Sequence, residues 1–132
     1  MAKVPPEHMG KGEFYFLNMM VEEIENEYTE GSSFRSESWL RVMRKLCKIY
    51  GPIYTVRYLK ARLRNLKKRY EKFSELINHK GVFWNEEHNV VYGNQEVLKQ
   101  YKLESYGRTG FYIAEEHFDL IRQIFESGVK FE

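Results

Sequence analysis

Residues 55–79, TVRYLKARLRNLKKRYEKFSELINH, specify one helix with two incompatible sides. Val56, Leu59, Leu63, Leu66, Tyr70, Phe73 and Ile77 recur at alternating spacings of three and four, the period that lines one face of an α-helix. Eight basic residues share the stretch: Arg57, Lys60, Arg62, Arg64, Lys67, Lys68, Arg69 and Lys72, opposed only by Glu71 and Glu75. At about 100° per residue, Arg57, Lys60, Ala61, Arg64, Asn65 and Lys68 turn roughly away from the apolar stripe. Such a helix must bury one flank and offer the other to water or to an anionic partner. A plain solvated surface is the commoner origin of this pattern, but the density of cations here favours a face shaped for a nucleic-acid groove.

The charge distribution points the same way. From Arg35 to Lys80 the chain has 14 Lys/Arg against 3 Glu, a net +11, while residues 1–34 carry −5 and residues 81–132 carry −4. The overall +2 conceals this split. An anionic partner should therefore meet the middle of the chain. With 42% hydrophobic and 16% aromatic residues, a chain of 132 suffices for one packed domain.

Cys47 is the single cysteine, which rules out an internal disulfide and suits a reducing compartment. No apolar run approaches the roughly 18 residues of a membrane span, and MAKVPPEHMGKG lacks the apolar centre of a secretory signal. A soluble intracellular protein is expected, with no membrane partner. RNLKKR (64–69) resembles a nuclear address, although it lies within a helix that has another use for its charges.

Residues 1–12, with Pro5, Pro6, Gly10 and Gly12, read as a flexible lead-in, residues 13–127 as a single domain, and residues 128–132 as a tail. A first helix is expected over 13–27, with Phe16, Leu17, Met20, Val21 and Ile24 inward and Glu22, Glu23, Glu25 and Glu27 on the wet side. After the Gly31-Ser32-Ser33 turn, Ser36 is the expected N-cap of a second helix. That helix turns Trp39, Val42, Met43, Leu46 and Ile49 inward and Arg41, Arg44, Lys45 and Lys48 outward, ending at Gly51-Pro52. Thr55 caps the third helix. Residues 82–85 and 90–92 flank Glu86-Glu87-His88-Asn89 as a short hairpin whose Phe83 and Trp84 should pack on the helices. Helices over 95–103 and 114–127 follow, the last with Phe118, Ile121, Ile124 and Phe125 as its stripe, separated by a linker at 105–110.

Enzyme chemistry is not expected. His8, His79, His88 and His117 show no metal-ligand spacing, and the paired glutamates at 22–23, 86–87 and 115–116 read as solvated charge. There is no phosphate-binding glycine loop or nucleophile elbow, so neither a cofactor nor a small-molecule substrate is anticipated. Cys47 reads as an inert thiol. Most aromatics, including Tyr70, Phe73, Phe83, Trp84, Phe118 and Phe125, sit at core spacing. Tyr54 and Tyr58, at the start of the third helix, are the two kept as phosphate contacts.

Three helices, the last two joined by a Gly-Pro turn and the third bearing a basic face, make a helix-turn-helix arrangement. The runs YFLNMMVEEI (15–24), SFRSESW (33–39), YLKARLRNLKKRYEKF (58–73) and GVFWNEEHNVV (81–91) resemble the Myb/SANT-like DNA-binding domain family. That family is abundant in plants and related to proteins encoded beside transposase-type nucleases. The resemblance covers about residues 13–126. It implies a mostly α fold: a three-helix bundle with a short β-hairpin and two appended C-terminal helices, in a nuclear DNA-binding transcription regulator. It also makes Trp39 the core tryptophan of the second helix, seats the third helix on Leu59, Leu63 and Leu66, and puts Lys60, Arg62, Lys67 and Lys68 on basic positions. Departures are His8, where a tryptophan is usual, Leu98, which replaces another, and a linker at 107–110 with fewer lysines.

Two partners follow. The first is double-stranded DNA, with the third helix in the major groove. Arg57, Lys60, Arg64, Lys67, Lys68 and Lys72 supply base or phosphate contacts, Asn65 reads adenine, and Arg41, Arg44, Lys45 and Lys48 grip flanking phosphates. The second is a protein bound through the acidic and aromatic surfaces of a SANT-like scaffold.

Overall fold

A computed structural model describes residues 12–101 and 112–131. The lead-in before Gly12 with His8, the linker at 105–110 and the end of the fourth expected helix lie outside these residues. The fold is mostly helical with one small antiparallel sheet. In order come α1 (Gly12–Glu27), α2 (Ser36–Tyr50), α3 (Val56–Ile77), β1 (Val82–Asn85), β2 (Val90–Gly93), α4 (Gln95–Tyr101), β3 (Tyr112–Ala114) and α5 (Phe118–Phe125).

The described chain separates into two compact units: one runs up to Lys67 and resumes at Asp119, the other is Lys68–Phe118. The first unit is built on the helical stripes. Phe16, Leu17 and Met20 of α1, Leu46 of α2, Leu59 and Leu66 of α3, and Ile121 and Ile124 of α5 are fully buried. Trp39, Val42 and Leu63 are nearly so. Removing this much apolar surface from water is the dominant favourable term for a unit of this kind.

Local chemistry sets the helix ends. Thr55 caps α3 as expected: its Oγ1 accepts from the Tyr58 amide at 3.0 Å. Gly51, at φ +89°, closes α2 by donating its N–H to the Cys47 carbonyl at 2.7 Å. Ser36 is not the cap of α2. Arg35 takes that position with extended backbone and no side-chain cap, its carbonyl accepting from the Ser38 and Trp39 amides. The helix starts one residue sooner because the preceding strap is tied down: Tyr28 Oη accepts from the Arg35 amide at 2.8 Å and donates to Ser38 Oγ at 2.8 Å. Phe34 then stacks on Tyr28 and meets Trp39 edge-on. The C-terminal stretch locks onto this strap, with the Phe34 amide donating to the Lys130 carbonyl and the Lys130 amide to the Ser32 carbonyl, both at 2.8 Å.

In the second unit β1 pairs with β2 and β2 with β3, all antiparallel. Phe73, Leu76, Val91, Val97, Leu98, Ile113 and Phe118 form its core, with Tyr70, Ile77, Val82, Trp84 and Tyr101 packed against it. Leu98 is thus a core residue. Asn94 Oδ1 caps α4 by accepting from the Glu96 amide at 2.9 Å. Arg69 forms an ion pair with Glu115, both side chains largely buried.

Several expectations are corrected. The hairpin gains a third strand at Tyr112–Ala114, and α5 begins at Phe118 instead of residue 114. A three-residue strand is too short to carry a period of its own. Phe83 lies on the outer face of the sheet, 64% exposed, because strand alternation gives the inner face to Trp84. Ile49 is likewise exposed, and in the last turns of α3 Leu76 is buried more deeply than Ile77.

Candidate nucleic-acid interface

The cations of the middle segment do three different things. Arg62 is buried, its side chain 6% exposed, and its guanidinium pairs with the carboxylate of Glu13 in α1. A guanidinium taken out of water in this way needs a carboxylate partner, and Glu13 is also buried. Arg62 therefore belongs to the core and not to the open face of α3.

Arg41 and Lys45 of α2 turn toward α1. Arg41 reaches the Glu23 carboxylate with Nε at 3.1 Å and Nη2 at 2.8 Å, and Nη2 also lies 3.5 Å from Glu27. Lys45 Nζ sits 3.1 Å from Glu22. Glu23, expected on the wet side of its helix, is buried beneath this clasp. Burial pushes its carboxyl up. The hydrogen bonds from Arg41 and Ser38, with the charges of Arg41 and Lys45, outweigh that and hold its pKa below the ordinary carboxylate value. The same pairing raises the Arg41 pKa. Two of the four α2 cations expected on phosphates are thus engaged by acidic neighbours, while Arg44 and Lys48 are exposed and pair with no described residue.

Arg69 pairs with Glu115 and is largely buried, whereas five other α3 cations stay open. Arg57, Arg64, Lys67, Lys68 and Lys72 are exposed, and none forms an ion pair with a described residue. Their positions follow the helical spacing of three and four, so Arg57, Lys60, Arg64 and Lys68 form one row along the helix. Lys60 is half-buried, its Nζ 5.9 Å from the centroid of the Trp39 ring, within reach of a cation–π attraction. Ala61 and Asn65 lie in the same row and are half-buried. The carboxylates of α1 cover part of α2 and leave this side of α3 to solvent.

The two tyrosines at the start of α3 differ. Tyr54 is 5% exposed, and burial raises its pKa, so its hydroxyl is not a surface contact. Tyr58 is half-buried with its ring 5.3 Å from that of Tyr54. Cys47 Sγ donates to the Tyr54 carbonyl at 3.4 Å, a structural use of the thiol.

The number of cations is plain in the sequence, but which carboxylate each one meets is set by contacts between helices. The one local signal was the acidic spacing of α1: Glu23 and Glu27 lie on one side of that helix, one turn apart.

A model of the Myb/SANT-like DNA-binding domain family matches residues 9–101. No curated protein and no solved structure matches the chain.

Proposed function

This chain belongs to the Myb/SANT-like DNA-binding domain family, and we propose that it binds double-stranded DNA by laying α3 in the major groove. The observation that carries this reading is the exposed set Arg57, Arg64, Lys67, Lys68 and Lys72 on α3, which pair with no described residue and lie on the helix that buries Leu59, Leu63 and Leu66. A major groove about 12 Å wide admits one helix with its side chains. Arg57 and Arg64 are the residues for base edges, since a guanidinium meets guanine with two hydrogen bonds, and Asn65 is the residue for adenine. Ala61, with its short side chain between them, allows close approach. Lys60, Lys67 and Lys68, with Lys72 farther along the helix, neutralise phosphates.

Arg44 and Lys48 serve as flanking phosphate contacts from α2. Arg41 and Lys45 act differently, holding α2 to α1 and so setting how α3 is presented. On this reading the protein works in the nucleus as a transcription regulator. Selection of duplexes from a random pool by the full chain, at two salt concentrations, tests the reading. It predicts an enriched sequence whose capture falls steeply with salt. A pool that stays random at both salts contradicts it.

A further inference from the structure

The sheet of the second unit has a face that its core does not use. Alternation along the strands turns Trp84, Val91 and Ile113 to one side and Phe83, Tyr92 and Tyr112 to the other. The register sets the second set in a row, with Phe83 opposite Tyr92 and Tyr92 opposite Tyr112. They are 64%, 49% and 40% exposed, and the rings of Phe83 and Tyr92 stack at 5.7 Å. Single exposed aromatics are ordinary, whereas a contiguous row across three strands marks an interaction surface.

At the end nearest the hairpin turn, the described rim of this row is acidic. Two residues along each strand, the same face carries Asn85, Val90 and Ala114. Just beyond them lie the exposed carboxylates of Glu86 and Glu87 in the hairpin turn and of Glu116 after β3. Neither the three strands nor the turn contains a lysine or arginine. Aromatic faces attract cations through the ring quadrupole, and the carboxylates add a full charge at one end. Bases of a single-stranded nucleic acid also stack on such rings, but at the turn end their phosphates would meet three carboxylates, and neither the strands nor the turn supplies a lysine or arginine.

We propose that this sheet face binds an extended, lysine- and arginine-bearing segment of a partner protein. The aliphatic stems lie across Phe83, Tyr92 and Tyr112, and the charged heads reach Glu86, Glu87 and Glu116. The site shares no residue with the open row of α3 and does not depend on DNA being the ligand there.

The test is a titration of the isotopically labelled full chain with a short peptide of alternating arginine and glycine, followed by amide NMR shifts. Shifts confined to residues 82–93 and 112–116 are expected. Phe83→Ser and Tyr92→Ser should each weaken binding about two- to five-fold. Glu86→Lys combined with Glu87→Lys should abolish it, and the spectra themselves report whether each variant is folded. Four results overturn the proposal: no shifts at roughly millimolar peptide; equal shifts along the acidic side of α1; the same resonances moving on dilution without peptide, which makes the occupant a second copy; or oligothymidine moving them as readily.

Discussion

The guanidinium of Arg62, in the second turn of α3, closes on the carboxylate of Glu13 in the first turn of α1, and both side chains are buried. Arg62 thus ties two helices together, as Arg69 ties α3 to Glu115, while Arg57, Arg64, Lys67, Lys68 and Lys72 face solvent. Breaking the Arg62–Glu13 pair from one side should be severe. Glu13→Ala, which takes this carboxylate from the buried guanidinium, is expected to cost about 3–5 kcal/mol in denaturant unfolding. Replacing both partners with apolar residues, Glu13→Leu with Arg62→Met, should recover most of that loss. If the single and double variants prove equally unstable, the ion pair is not what holds these helices.

The clasp of Arg41 on Glu23 makes stability depend on pH. Because the folded carboxyl has the lower pKa, the folded state binds fewer protons than the unfolded chain across the acidic range. The stabilisation is therefore complete above the unfolded value of about 4.3 and is lost as pH falls through the folded value. Glu23→Gln should lower the melting temperature at neutral pH and flatten its decline on acidification. A variant with an unchanged acid limb would remove Glu23 from the account.

The two helix starts give a contrast free of charge effects. Thr55 accepts a backbone hydrogen bond at the head of α3, whereas Ser36 makes no such bond at the head of α2. Thr55→Ala should cost about 1 kcal/mol and Ser36→Ala only a few tenths. Chemical denaturation of the two single variants distinguishes these outcomes, and equal losses would put the cap of α2 back on Ser36.

Burial in the first unit has a direct measure in Leu66, which is fully buried on α3. Leu66→Ala should destabilise by about 2–5 kcal/mol through lost transfer energy and the cavity left behind. A loss under about 1 kcal/mol would show that this turn of the helix is not packed in solution.

What the sequence made legible is what repeats along one element. The stripes of α1, α2, α3 and α5 follow from the helical period, and Leu59, Leu63, Leu66, Ile121 and Ile124 lie buried where that period puts them. The ends marked by Thr55 and Gly51 are legible because their chemistry is local. The sorting of cations was not, because Arg62 and Arg41 find their carboxylates at sequence separations of 49 and 18 residues. Phe83 and Trp84 are neighbours of similar hydrophobicity, and only the pairing register decides which one faces the core. β3 is three residues long and depends on β2 for its existence. The family resemblance was carried by motifs in residues 15–91, inside the matched range.

The central claim is that the open row of α3 is the DNA-contacting surface, and reversing charge there tests it most directly. Arg57→Glu and Arg64→Glu lie on exposed positions that pair with no described carboxylate, so the double variant should melt with the wild type. Fluorescence anisotropy with a selected duplex should give a wild-type slope of log K against log salt near −4 to −5, for about five neutralised phosphates. The double variant should show no binding at the same salt. A variant that binds as tightly as the wild type, or a wild-type slope near zero, would contradict the account.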